Sequence, residues 1–235
     1  AGVHLVRVLG NATRYIYDPF LMLDAFDSKD KRDYSAGFPM HPHRGIETVS
    51  FLCKGEMTHR DHLGTEATIY DGEAQWLTAG SGAEHEEMPG GERILGTQLW
   101  LNLPAKYKMS APPAYHSISK REIKEFEFKG GRLRLITGKY EDEEGWQGKY
   151  LPLDFYDIHL EDNVSVEIPV REGLSAFAFT LRGEVIISGK NVEEKTAAKL
   201  GDGDRVLLET KNNKAEILIY ASKRLDEPVA WFGPI

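Results

Sequence analysis

Apolar positions along the chain fall in short runs rather than long stripes. Segments such as "IETVSFLCK", "EATIYD", "EAQWLTA", "ILGTQLWLNL", "RLRLITGKY", "DFYDIHLE", "VSVEIPV", "SAFAFTLRGEVII", "RVLLET" and "AEILIYASK" are rich in β-branched and aromatic residues. Clusters of Gly, Pro, Asn or Asp interrupt them every 8 to 15 residues, the punctuation of strands and turns. No segment keeps an apolar 3.6-residue stripe for three turns, and "SKREIKEF" reads as at most a short helix. Many strands at this spacing predict an all-β chain built as a sandwich or barrel.

The proline-rich, polar stretch "PAKYKMSAPPAYHSISKREI" from 104 to 123 reads as a linker and predicts two domains, 1–115 and 116–235. Each half carries a strand ending in a small turn and then a glycine-aspartate turn. These are "SFLCKGEMTH" with "YDGEAQWL" in the first and "AFTLRGEVII" with "LGDGDRVLL" in the second. The pattern predicts two similar barrels in tandem. Ahead of them, the charged segment "FDSKDKRDYSAG" reads as a mobile loop over a barrel mouth.

Composition narrows the chemistry. At 235 residues, 41% hydrophobic and 10% aromatic, the chain can pack a core without covalent staples. Its net charge of −8 works against attraction to nucleic-acid phosphates or anionic lipid. Cys53 is the single cysteine, so neither an internal disulfide nor a thiolate-rich metal site can form. That suits a reducing cytoplasm. No apolar stretch approaches the roughly 20 residues a membrane-spanning helix needs, and "AGVHLVRVLG" lacks the shape of a secretory signal. The chain begins without Met, so its true start is left open.

Five of the eight histidines, His41, His43, His59, His62 and His85, crowd into one 45-residue stretch, and none follows His159. Side chains two apart on a strand share a face. His41 and His43 of "FPMHPHRGIETVSF" therefore pair, with Glu47 on the same face, while Pro42 points outward and suits an edge. His85 and Glu87 of "GAEHEEMPG" form a second such pair. Two pairs on neighbouring strands can bring three imidazoles and one carboxylate around one point. A nitrogen and oxygen donor set without sulfur suits iron, manganese, nickel, copper or zinc. An octahedral ion would keep two open positions; a tetrahedral zinc would be closed by the same four ligands.

"FPMHPHRGIETVSFL" and "QWLTAGSGAEHEEMP", with "DPFLMLDAF" upstream, "TQLWLNLP" and the terminal "EPVAWFGPI", resemble the pirin family over nearly the whole chain. The resemblance implies two tandem cupin barrels. It implies one iron, most simply Fe(II), in the amino-terminal barrel on His41, His43, His85 and Glu87, and a carboxy-terminal barrel without metal. Glu47, the position from which general cupins draw their glutamate, competes with Glu87, and the resemblance favours Glu87. It also implies a continuation beyond Ile235. His59 and His62 read as surface histidines or as groups behind the ligands, and His4, His116 and His159 as ordinary ones. Trp76, Trp100 and Cys53 read as core packing, and "GDGD" at 201–204 as a β-turn.

Two functions follow from the resemblance. One is a flavonol ring-opening dioxygenase of the quercetin 2,3-dioxygenase type, taking a flavonol and dioxygen, with Glu87 as the base that removes the 3-hydroxyl proton. The other is a redox-sensitive iron protein that binds a transcription factor or metabolic enzyme. An inert zinc-stabilised bicupin is a third reading.

Overall fold

The structure is a computed structural model and describes residues 2–231. It divides into two compact units: one reaching Lys120 and including the tail from Leu225, the other spanning Arg121–Arg224.

The first unit is built on an eight-stranded antiparallel sheet. Its strands are β1 (Val6–Leu9), β2 (Phe20–Ser28), β3 (Phe38–His43), β4 (Ile46–Asp61), β5 (Glu66–Ile69), β6 (Ala74–Thr78), β7 (Ala83–Asn102) and β8 (Ala114–Ile118). The spatial order is β1-β2-β7-β4-β6-β8, with β3 added to β7 and β5 to β4. The long strand β7 is the spine: β2, β3 and β4 all pair with it along parts of its length. Phe26, Tyr34, Phe38, Leu52, Met57, Ile69 and Ile94 form one apolar cluster of this unit. Burying each of the larger ones contributes about 1.5–3 kcal/mol. The same unit also buries Ser50, Gln75, His85, Glu87 and Gln98. Buried polar groups cost free energy unless hydrogen-bonded, so such a set marks a built site.

In the second unit, one sheet runs in the order Ala197–Lys199, Ser175–Arg182, Ala215–Ser222, Leu153–Leu160, Gly131–Thr137, Lys124–Phe128. The other runs Ser165–Pro169, Arg205–Glu209, Val185–Ile187, Lys190–Val192. Leu133, Ile158 and Ile217 of the first sheet share a core with Ile168, Val185 and Leu208 of the second. The all-β expectation therefore holds in both halves.

Several local expectations do not. The stretch read as a linker holds the short helix Ala105–Lys108 and strand β8, which pairs with β6 from Ala74↔Ile118 to Thr78↔Ala114. "SKREIKEF" is not helical, and its end enters the strand Lys124–Phe128. The charged segment before β3 is exposed along much of its length, as a loop is, but carries local structure. It contains the 3-10 turn Lys31–Asp33 and buries Tyr34, whose hydroxyl donates to the Gly91 carbonyl at 3.1 Å. The expected halves, 1–115 and 116–235, differ from the two units at both ends. The tail returns to the first unit because Leu225 and Asp226 N–H donate to Asp18 Oδ2 at 2.7 and 2.9 Å, and Ala105 N–H donates to Glu227 Oε2 at 2.8 Å. The end of "EPVAWFGPI" lies outside the described residues.

Candidate metal centre

Strands β3 and β7 run antiparallel in a register that sets His41 opposite His85 and His43 opposite Ala83. On its other side β7 pairs with β4, where Asp61 faces His85 and His59 faces Glu87. Alternation then turns His41, His43, His59, Asp61, His85 and Glu87 to one face. The ligand nitrogens of His41, His43 and His85 lie within 4.8 Å of one another.

Hydrogen bonds set which nitrogen His41 and His85 present. His41 Nδ1 donates to the Pro39 carbonyl at 2.7 Å, which leaves its Nε2 with a lone pair. That Nε2 lies 3.0 Å from His43 Nε2. Two nitrogens about 2.1 Å from one ion and at right angles to each other are separated by about this distance. His85 is set from behind. Asp61 Oδ1 accepts the N–H groups of Leu63 and Thr65 at 2.9 and 3.1 Å, and Oδ2 accepts His59 Nε2–H at 3.0 Å. His59 Nδ1 must then accept, so His85 Nδ1 donates to it across 3.4 Å. His85 Nε2 is left as a bare lone pair, buried and without a hydrogen-bond partner. An orphaned buried nitrogen at such a convergence is accounted for by a cation.

The electrostatics agree. Burial, together with the nearby His41 and His59, pushes the His85 imidazole down to about 3, so the ring is neutral and ligand-competent at ordinary pH. Burial pushes the Asp61 carboxyl up, but the His59 bond and the backbone N–H groups outweigh it and hold the group below its usual range. Three imidazole nitrogens around one point fit a borderline divalent ion.

Glu87 is fully buried two residues from His85. Its Oε1 accepts Ser50 Oγ–H at 2.8 Å and Gln75 Nε2–H at 2.6 Å, and its Oε2 accepts Gln98 Nε2–H. A carboxylate offers about four acceptor sites, so three donors leave one, on Oε2. The three-histidine group within 4.8 Å does not itself include Glu87. Gln75 is held in turn by the Tyr115 hydroxyl at 2.9 Å. The Tyr115 ring stacks on His59, with centroids 4.2 Å apart and an 18° tilt, and burial pushes its hydroxyl up to about 12.

Glu47 does not share this face, against the parity argument. Gly45 takes φ +73° between β3 and β4, a turn open to glycine, and the alternation restarts after it. Glu47 Oε1 accepts Trp76 Nε1–H at 3.0 Å and Thr78 Oγ1–H at 2.6 Å on the side opposite Ser50. His59, read as a surface residue or a group behind the ligands, is fully buried and takes the second role. His62 is the exposed one. Trp100, read as core, lies edge-on to His43 with centroids 5.1 Å apart. Tyr115, Gln75 and Gln98 went unseen because neutral side chains on short strands carry no motif. Cys53 is buried, as expected.

A second grouping, Asp157, His159 and Glu216, lies in the second unit. There Arg134 Nη1 donates to Asp157 Oδ2 at 2.9 Å and Arg182 Nε to Glu216 Oε2 at 2.8 Å. Two guanidiniums supply the countercharge, and His159 joins the ion network at 3.0 Å from Asp157 rather than standing as an ordinary surface residue.

Two antiparallel β units in tandem, with a buried imidazole cluster in the first, define a bicupin with a metal-type pocket. The pirin family profile matches residues 2–101, and the profile of the pirin C-terminal cupin domain matches residues 155–235. A pirin-like protein of Caulobacter vibrioides is 38% identical over 239 residues, covering 100% of this chain and 86% of its own. A crystal structure of quercetin 2,3-dioxygenase from Acinetobacter baumannii superposes with a TM-score of 0.86 at 30% identity, covering 99% of this chain and 85% of that one. The bacterial pirin YhhW from Escherichia coli, in complex with nickel(II), shares the fold with a TM-score of 0.69 at 18% identity, over 92% of this chain and 90% of that one. The chain belongs to the pirin family.

Proposed function

We propose that this pirin is a metal-dependent dioxygenase that opens the central ring of a flavonol in the manner of quercetin 2,3-dioxygenase, with Fe(II) held by His41, His43, His85 and Glu87. The observation that carries the reading is the convergence of ring nitrogens from His41, His43 and His85, that of His85 buried and without a hydrogen-bond partner. The name borne by the Acinetobacter relative and the nickel in the Escherichia pirin support a flavonol substrate and a divalent ion, respectively.

When bound, the ion would supply a Lewis-acid and redox centre beside which substrate oxygen and dioxygen meet. The protein supplies the rest. Glu87, clamped by Ser50, Gln75 and Gln98, has one acceptor site left on Oε2; that site would hold the ion at rest, and on loosening from it as substrate arrives Glu87 takes the flavonol 3-hydroxyl proton. Tyr115 holds Gln75, so the carboxylate stays aimed as its charge changes. Trp100 walls the pocket beside His43 and excludes water from that side.

The test is aerobic loss of flavonol absorbance, with carbon monoxide release, after loading the protein with Fe(II). Glu87→Ala and His43→Ala are expected to lower turnover by at least about a hundredfold, the usual contribution of a positioned base. Variants that consume oxygen with quercetin at the wild-type rate refute the site. Absence of turnover together with redox-dependent capture of a protein partner would favour the regulator reading instead.

A further inference from the structure

A cavity of about 570 Å³ opens beside the imidazole cluster, within the first unit. Trp100 forms part of its wall and also meets the His43 ring edge-on, so the cavity and the cluster share a side. Trp231, roughly parallel to Trp100 with centroids 6.4 Å apart, lines it from the returning tail. In a chain of net charge −8, this lining holds Arg7, Arg44 and Lys108 and no acidic residue.

The three cations are not equivalent. Arg7 is neutralised by Asp24, whose two oxygens each accept a guanidinium N–H at 2.9 Å. Arg44 spends its Nε on the Ser81 carbonyl at 3.0 Å, and among the described residues no carboxylate pairs with it. Lys108 donates to the Gly45 carbonyl at 2.7 Å and to Asn102 Oδ1, both neutral acceptors, so one N–H and the whole charge remain. Glu227, already engaged by the Ala105 N–H, touches Lys108 only through its longer-range field. Trp100 Nε1–H is buried out of solvent reach, so the indole serves the cavity as an aromatic wall only.

We infer that this cavity selects planar aromatic ligands in anionic form, a carboxylate or phenolate, with the ring against the two indoles and the anionic oxygen on Lys108 and Arg44. The inference names the substrate class of the site and rests on the reading that the cavity serves the imidazole cluster. A polyphenol that arrives already ionised fits both indoles and cations; a neutral aromatic of the same shape fits only the indoles.

Isothermal titration of the metal-loaded full chain with 2-naphthoate and with its neutral isostere 2-naphthamide tests this. The carboxylate is expected to bind about tenfold or more tightly than the amide, as one desolvated charge-assisted hydrogen bond provides. Arg44→Gln, at an exposed position, and Lys108→Met should each shrink that preference. Equal binding of the two probes overturns the inference. So does a preference that survives in the Arg44→Gln, Lys108→Met double variant, because the ion alone would then be selecting the carboxylate. Circular dichroism of the double variant confirms that it folds. The probes do not turn over, so failure here with quercetin still consumed removes only the selectivity. An intact preference without quercetin consumption removes only the dioxygenase.

Discussion

His59 governs a ligand it never replaces. Its Nε2–H is committed to Asp61, its Nδ1 therefore faces His85 as an acceptor, and His85 is left to present Nε2. Breaking the chain at Asp61→Asn lets the His59 ring take the other tautomer, after which two N–H groups confront each other across 3.4 Å. Both Asp61→Asn and His59→Leu should lower affinity for divalent metal by about ten- to hundredfold, the usual effect of groups behind a ligating histidine. Competition with a chromophoric chelator reads that change directly. Unchanged affinity in both variants would mean that His85 is oriented by packing alone. The histidine pairs His41/His43 and His85/Glu87 were legible because strand alternation is a strict rule and the residues are chemically distinctive. His59 was not legible, since nothing in "THRDHLG" tells a buried strand end from a polar turn. The difference lies in β4 continuing through Asp61 against β7.

At the scale of the element, the turn between β3 and β4 decides which glutamate serves the site. Counting by twos from His43 carries Glu47 inward, but the count does not survive Gly45. What Glu47 meets instead is an indole, a threonine and apolar neighbours, and burial pushes its carboxyl up to about 7 despite the hydrogen bonds from Thr78 and Trp76. A carboxyl whose folded value is raised holds its proton more tightly when folded. Its contribution to stability is fully present below about 4.5 and is lost as pH rises through about 7. A shift from 4.5 to about 7 corresponds to about 3 kcal/mol. Glu47→Gln keeps the acceptor for Trp76 and Thr78 but cannot ionise. Urea denaturation should therefore show the variant gaining about 2–3 kcal/mol on wild type between pH 5 and pH 8. A stability difference that stays flat across that range would mean that Glu47 ionises freely in the folded protein. The same element scale explains the other misreadings. "SKREIKEF" has helix-forming residues but is drawn into a sheet edge, and "PAKYKMSAPPAYHSISKREI" is polar because β8 lies half-exposed, not because it is a tether.

For the molecule as a whole, the donor set belongs to one unit and the binding energy should stay there. All four proposed ligands lie on β3 and β7, and both strands belong to the unit that includes the tail from Leu225. The second unit has its own apolar core and an ion network balanced by Arg134 and Arg182. Ligand that binds only the folded state stabilises it by mass action, by about 2.7 kcal/mol at a hundredfold excess over the dissociation constant. Hydrogen exchange with and without added Fe(II) under argon should therefore slow in peptides covering residues 38–61 and 83–102. Peptides covering residues 153–160 and 215–222 should hardly change, because their openings expose none of the ligands. Equal protection in both sets would place a metal in the second unit as well, on Asp157, His159 and Glu216, and would require the arginines there to give way. A response confined to β3, β4 and β7 would mean that the first unit alone holds the ion, on the strands that carry its imidazoles.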